Sequence, residues 1–155
     1  SAETAADMIE NADVRVLKAK TISQGYAGLT MFDTTMDIDE NLEEMNDYIS
    51  KVKTGEVTYA IRDSIYNGVE IKKDHFMGIY DGKIVTSNET RLETCEHILR
   101  EMIDDRTEIV TIMYGSDVTE DEVSEIEEYL GDHYSVEVEI IAGGQDIYSY
   151  IMTVE

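Results

Sequence analysis

The stretch Ile109-Val110-Thr111-Ile112-Met113-Tyr114-Gly115-Ser116-Asp117-Val118-Thr119-Glu120-Asp121-Glu122, residues 109–122, decides the fold. Its first five residues are nearly continuous apolar, which suits a strand covered on both faces. Tyr114-Gly115-Ser116-Asp117 then turns the chain. Thr119 and Glu122 stand at the spacing of a capping box, which opens a helix. Val123, Ile126 and Leu130 give that helix one apolar stripe, ending near Gly131. A buried strand feeding a capped helix is the repeating unit of mixed α and β architecture.

Working outward, residues 89–103 read as a helix with Leu92, Cys95, Ile98, Leu99 and Met102 on one side. Downstream, strands near 136–142 and 147–154 flank Gly143-Gly144-Gln145-Asp146. Upstream lies a β-rich stretch. Asn67-Gly68 and Asp81-Gly82 are hairpin turns, since both pairs accept the positive φ of a type I′ turn. Val57, Tyr59 and Ile61 alternate, and strands are expected near 56–63, 65–66, 69–72, 76–80 and 83–86. Residues 40–54 form a helix on Leu42, Met45, Ile49 and Val52, with Asp37 and Glu40 as its capping pair and Gly55 at its close.

The opening is different. Residues 2–11 read as the end of a helix, and Val14, Val16 and Leu17 as a short strand. Thr21-Ile22-Ser23-Gln24-Gly25 reads as a polar loop, and Ala27, Leu29, Met31 and Phe32 as a helical apolar segment. A helix and a lone strand need partners to bury against. Residues 1–35 are therefore expected to end a preceding α/β lobe, and residues 36–155 to form one further lobe. The fold class is α+β (mixed α/β), with a mixed sheet, a β-meander and helices packed on it.

Composition narrows the function. The 155 residues carry 12 Lys+Arg against 35 Asp+Glu, a net charge of −23. Such a surface repels phosphates, which excludes nucleic acid and anionic membranes as partners and favours a basic one. At 42% hydrophobic and 30% charged, the chain is globular. The single cysteine, Cys95, permits no intrachain disulfide and no multi-cysteine zinc site, so a cytoplasmic location is expected. No apolar run approaches the ~18 residues of a membrane span. Ser1-Ala2-Glu3-Thr4 has neither the basic nor the apolar region of a signal peptide, and the absence of Met at position 1 is expected of a processed or cut chain. There is no proline, where average usage would give about eight.

No local pattern carries catalysis. Met36-Asp37-Ile38-Asp39-Glu40-Asn41 begins like a calcium loop, but Leu42 takes its glycine position and Tyr48 its glutamate position. His75, His97 and His133 are scattered, and Cys95 and His97 point about 200° apart on one helix. Cys95 lies on the apolar stripe as a core residue. Phosphate-loop glycines are missing. The turn before Thr119 could hold an anion at a helix N-terminus, but Asp117, Glu120, Asp121 and Glu122 crowd it, leaving an acidic helix cap. Two segments exceed plain scaffolding: Lys20-Thr21-Ile22-Ser23-Gln24-Gly25, and Gly143 to Tyr150, where paired glycines admit another backbone or a ligand.

These two segments bring a family into view. Lys20 to Gly25, Gly55 to Asp63, Gly68 to Ile79, Asp81 to Val85, Ile109 to Gly115, Asp117-Val118-Thr119 and Gly143-Gly144-Gln145 with Tyr148 and Tyr150 resemble the C-terminal region of the catalytic chain of bacterial fatty acid kinase, a dihydroxyacetone kinase-like family. The chain departs from the family pattern at Lys18 and Asp146, where proline is common. The resemblance implies a transferase of lipid metabolism in which an N-terminal domain binds ATP and magnesium, with no cofactor, metal or catalytic residue in these 155 residues. It also implies a DegV-like C-terminal region, here the smaller DegV-like lobe. The partner implied is the kinase's acyl-binding subunit, a DegV-like protein whose fatty acid is phosphorylated for phospholipid synthesis.

Two functions are expected from this. The first is a docking module that binds the acyl-binding subunit, or the parent's own kinase domains, and positions the fatty acid carboxylate. Candidate partner contacts are Thr21, Ser23, Gln24, Arg62, Asp63 and Gln145. The alternative is a DegV-like domain that binds a small molecule or fatty acid in its own pocket, lined from the eight methionines and ten tyrosines. The fragment alone is expected to be non-catalytic. A homodimer through an exposed edge near Val14–Leu17 is a further expected association.

Overall fold

The computed structural model describes residues 1–155, which form two compact units, Ser1–Val52 and Lys53–Glu155. The first holds three helices: α1 (Ala2–Asp7), α2 (Ile22–Thr30) and α3 (Ile38–Lys51). Two expectations are corrected by the structure. Thr21 to Gly25 is not a loop: Thr21 is the N-cap of α2, and its side chain accepts from Gln24 N. Val14, Val16 and Leu17 are extended but form no strand, because no neighbouring chain pairs with them. Residues 22–25 carry little helix signal because they are polar outside Ile22, while a cap threonine reads equally well as a turn. At the start of α3 the Asp37 side chain accepts from Asp39 N.

The second unit holds eight strands and two helices: β1 (Lys53–Tyr59), β2 (Ser64–Tyr66), β3 (Val69–Ile71), β4 (Phe76–Tyr80), β5 (Lys83–Asn88), α4 (Arg91–Met102), β6 (Ile109–Tyr114), α5 (Glu120–His133), β7 (Glu137–Ala142) and β8 (Tyr148–Val154). Six strands form one sheet in the order β5-β4-β1-β8-β6-β7, and β2 and β3 form a separate hairpin. The fold is a mixed α+β fold. Only β6 and β7 pair in parallel, joined through α5. The other pairings are antiparallel.

Both tight hairpins form where the dipeptides put them. Asn67 and Gly68 have φ of 47° and 84°, and Asp81 and Gly82 have 46° and 78°. Both helices open on reciprocal capping boxes, Thr90 with Glu93 and Thr119 with Glu122. Each cap contributes about 1 kcal/mol. Their apolar stripes meet the sheet: Cys95, Ile98, Leu99 and Met102 from α4, and Ile126 and Leu130 from α5, join Val57, Val110, Ile112, Tyr150, Met152 and Val154 in one buried cluster. Each fully buried Leu, Ile or Met there contributes about 1.5–3 kcal/mol.

Strand direction gathers the loops. Since β4 and β8 run against the others, β1, β5, β6 and β7 all end at one edge of the sheet. The loop to the hairpin, the N-terminus of α4, the N-terminus of α5 and the Gly-Gly-Gln loop therefore share that edge. Sites in α and β folds are commonly built there.

Candidate functional site

At this edge the sequence places one cation where a helix dipole opposes it. Arg91 is the first residue of α4. Its position is compensated by a network: Nη1 donates to Glu122 Oε1 at 2.7 Å, Nη2 to Asp117 Oδ2 at 2.8 Å and Nε to Ser149 Oγ at 3.2 Å. Ser149 Oγ in turn donates to Asp117 Oδ2 at 2.8 Å. The guanidinium also lies 4.7 Å from the centre of the Phe76 ring. Burial alone would raise the Asp117 carboxyl, but the Ser149 hydroxyl and Arg91 outweigh it and hold it below its ordinary range. Glu122 is lowered against burial by the Thr119 backbone N–H and Arg91. With both carboxylates engaged, Arg91 acts as a clamp between α4, α5 and β8.

The loop before β8 closes over the end of β6. Gly143 N and Gly144 N both donate to Tyr114 O, at 3.0 and 3.1 Å, and Ser116 N donates to Gln145 O at 3.0 Å. Gln145 Nε2 donates to Met113 O at 3.1 Å, while Gln145 Oε1 is buried without a hydrogen-bond partner. Asp146, in place of a family proline, accepts from Ser116 Oγ at 3.0 Å. Beneath the loop Tyr150 is wholly buried, its hydroxyl also lacks a partner, and burial pushes its pKa upward. Cys95 is wholly buried too, and burial raises its thiol.

The same edge carries the β2–β3 hairpin. Arg62 is exposed, and Asp63 Oδ1 accepts from Lys73 N at 2.7 Å. Tyr59 Oη donates to Asp74 Oδ1 at 2.5 Å, which holds the Tyr59 phenol above its ordinary range. A groove of about 310 Å³ runs between the hairpin and the sheet, lined chiefly by Tyr59, Ile61, Tyr66, Ile71, Met77 and Ile84.

The structure thus brings Arg62, Asp63 and Gln145 to one edge of the second unit. Thr21, Ser23 and Gln24 belong to the first unit. There Gln24 Oε1 accepts from Lys20 N at 2.9 Å and Gln24 Nε2 donates to Ile49 O at 3.2 Å, tying α2 to α3. Ser23 Oγ is buried without a partner. Sequence reasoning passes over Arg91, although a cation in a helix's first turn is itself a signal of a partner elsewhere. No three His, Cys, Asp or Glu side chains converge to hold a metal ion. No helix is long and apolar enough to cross a membrane.

The profile of the FakA-like C-terminal family, the C-terminal region of fatty acid kinase catalytic chains, matches residues 1–155. The chain belongs to this family. Among curated proteins, an uncharacterized protein of Staphylococcus aureus strain MRSA252 is 42% identical over 159 residues, taking in 100% of this chain and 28% of its own length. One of Staphylococcus saprophyticus is 40% identical over 156 residues, again with 100% and 28% covered. The FakA-like domain thus spans just over a quarter of the relatives it matches. Among solved structures, a DegV family protein of Corynebacterium glutamicum resembles the FakA-like domain with a TM-score of 0.61 and 14% identity, covering 99% of this chain and 67% of its own. A DegV family protein of Ruminococcus gnavus, described with vaccenic acid, gives 0.51 and 14%, covering 85% and 54%. The domain has a DegV-related fold.

Proposed function

We propose that this domain is the docking module of a cytoplasmic fatty acid kinase. It binds the kinase's acyl-binding subunit, and it positions the fatty acid carboxylate for phosphorylation by an N-terminal domain that carries ATP and magnesium. The observation that carries this reading is the family match over residues 1–155. Holding two reactants in register contributes to the rate without a catalytic side chain in the docking domain. The net charge of −23 steers a basic partner surface, and α5 alone presents Glu120, Asp121, Glu125, Glu127, Glu128 and Asp132 to solvent. The proposed contacts are Thr21, Ser23, Gln24, Arg62, Asp63 and Gln145. Titration of the domain with the acyl-binding protein at low and high salt tests the reading: saturable binding that weakens with salt is expected, and no binding at either salt would overturn it. Alanine at all six contacts tests the assignment separately, which fails if affinity and kinase turnover are unchanged.

A second reading is a DegV-like domain that binds a fatty acid or small molecule itself. It is favoured by the apolar groove of about 310 Å³ beside the hairpin. Fatty acid co-purified with the domain, detected by mass spectrometry, would support it, and a ligand-free protein that takes up no added fatty acid would sink it.

A further inference from the structure

We infer that docking uses the β2–β3 corner of the sheet, and that this corner receives a protein surface with an apolar centre edged by carboxylates, an inference that rests on the docking reading above. The corner is where apolar side chains stand in water. Ile61 is 78% exposed, Ile65 77% and Ile147 74%. Tyr59 and Tyr66 are also exposed. Ile147 joins them because its carbonyl accepts from Thr58 Oγ1 at 2.7 Å, one residue before Tyr59. Single exposed apolar residues are ordinary, but five gathered at one corner form a patch of the kind that marks an interface.

The corner is built before any partner arrives. The hairpin register is Ser64 to Ile71, Ile65 to Glu70 and Tyr66 to Val69, closed by the positive-φ pair Asn67-Gly68. Its base is braced by Asp63 on Lys73 N, by Tyr59 on Asp74, and by Asp74 N on Ala60 O at 2.9 Å. Ile71 is 4% exposed and anchors the hairpin to the sheet. A preorganised surface loses little conformational entropy on binding.

Charge selects the occupant. Residues 61–75 carry Arg62, Lys72 and Lys73 against Asp63, Glu70 and Asp74, which sum to zero, so the rest of the chain bears the full −23. None of these three cations makes an ion pair. Two of the three carboxylates are already engaged, Asp63 by a backbone N–H and Asp74 by the Tyr59 phenol. Lys72 and Lys73 line a second hollow of about 590 Å³ with Ile65 and His75. The Nδ1 of His75 is buried with no hydrogen-bond partner. Exposed cations around an apolar centre, in an otherwise acidic protein, fit a partner whose apolar patch has acidic edges. A basic surface would meet the remainder of the molecule instead.

The test is calorimetric titration of the purified acyl-binding protein into three proteins: the wild type, the exposed-apolar variant Ile61→Ser with Ile65→Ser and Ile147→Ser, and the charge variant Arg62→Glu with Lys72→Glu and Lys73→Glu. A fourth variant, Glu43→Lys with Glu44→Lys on α3, serves as the acidic-face control. Circular dichroism confirms that each variant is folded. Both corner variants are expected to lose at least about tenfold in affinity, and the α3 variant less than about threefold. Corner variants that bind like a wild type that itself binds would overturn the inference while leaving the docking reading standing. A wild type that does not bind overturns the docking reading. Corner variants that dissolve a dimer of this chain, with affinity for the acyl-binding protein unchanged, would also overturn the inference, by showing the occupant to be a second copy.

Discussion

The Nη2 of Arg91 lies 2.8 Å from Asp117 Oδ2, joining the first turn of α4 to the loop that leaves β6. The two residues are 26 positions apart, and Glu122 on α5 takes the other arm of the guanidinium at 2.7 Å. Arg91→Met would leave Asp117 and Glu122 as neighbouring carboxylates with no cation between them. The expected loss is about 2 kcal/mol at neutral pH, read from chemical denaturation. Both carboxyls are held below their ordinary range in the fold. Their contribution is therefore present above the ordinary carboxylate range and lost as pH falls through the lowered values. The gap between wild type and variant should narrow in acid, and a gap independent of pH would refute this.

Gly115 is required by backbone. A Cβ there would sit 2.6 Å from both Gln145 O and Tyr148 O, atoms that cannot rotate away. Gly115→Ala is expected to cost about 2–3 kcal/mol and to loosen the Gly-Gly-Gln loop. Faster amide exchange at Ser116 and Gly143 would report the loosening. A variant as stable as the wild type would contradict the close approach.

Tyr150 buries a hydroxyl that has no partner. Tyr150→Phe keeps the ring's packing and removes the desolvated group. Stability should stay level or rise, by up to about 1 kcal/mol. A loss above about 1 kcal/mol would mean that the hydroxyl is satisfied in solution.

Glu56 stands mid-strand on β1, half-buried, opposite Ile79 and Ile151. Burial raises its carboxyl above the ordinary value. A raised acid works against the fold once it ionises: the penalty is absent below the unfolded value and grows as pH rises through the folded one. Glu56→Gln should therefore raise the melting temperature at neutral pH, with the gain vanishing in acid. A gain that persists at low pH would assign the effect to something other than ionisation.

Much of the second unit is legible in the sequence because its signals are local. Asn67-Gly68 and Asp81-Gly82 adopt positive φ wherever they stand, and Thr90 with Glu93 and Thr119 with Glu122 close their boxes within four residues. Alternation in β1 and the stripe of α4 follow from period alone. The candidate site is less legible. Arg62, Asp63 and Gln145 stand out through motifs, but their shared edge depends on β8 lying between β1 and β6. Arg91 is silent in the sequence because its partners stand 26, 31 and 58 residues away.

By itself the amino-acid sequence determined the hairpin turns, the helix caps, the apolar stripes, the acidic surface and the family. Only the tertiary structure decided the strand order, the edge where loops converge, the exposed corner at Ile61 and Ile65, and the absence of a strand at Val14–Leu17. The division has one physical cause. Caps, turns and stripes are satisfied by residues within a few positions. A strand exists only if another strand accepts its hydrogen bonds, and a buried charge is stable only beside a partner that the chain brings from afar.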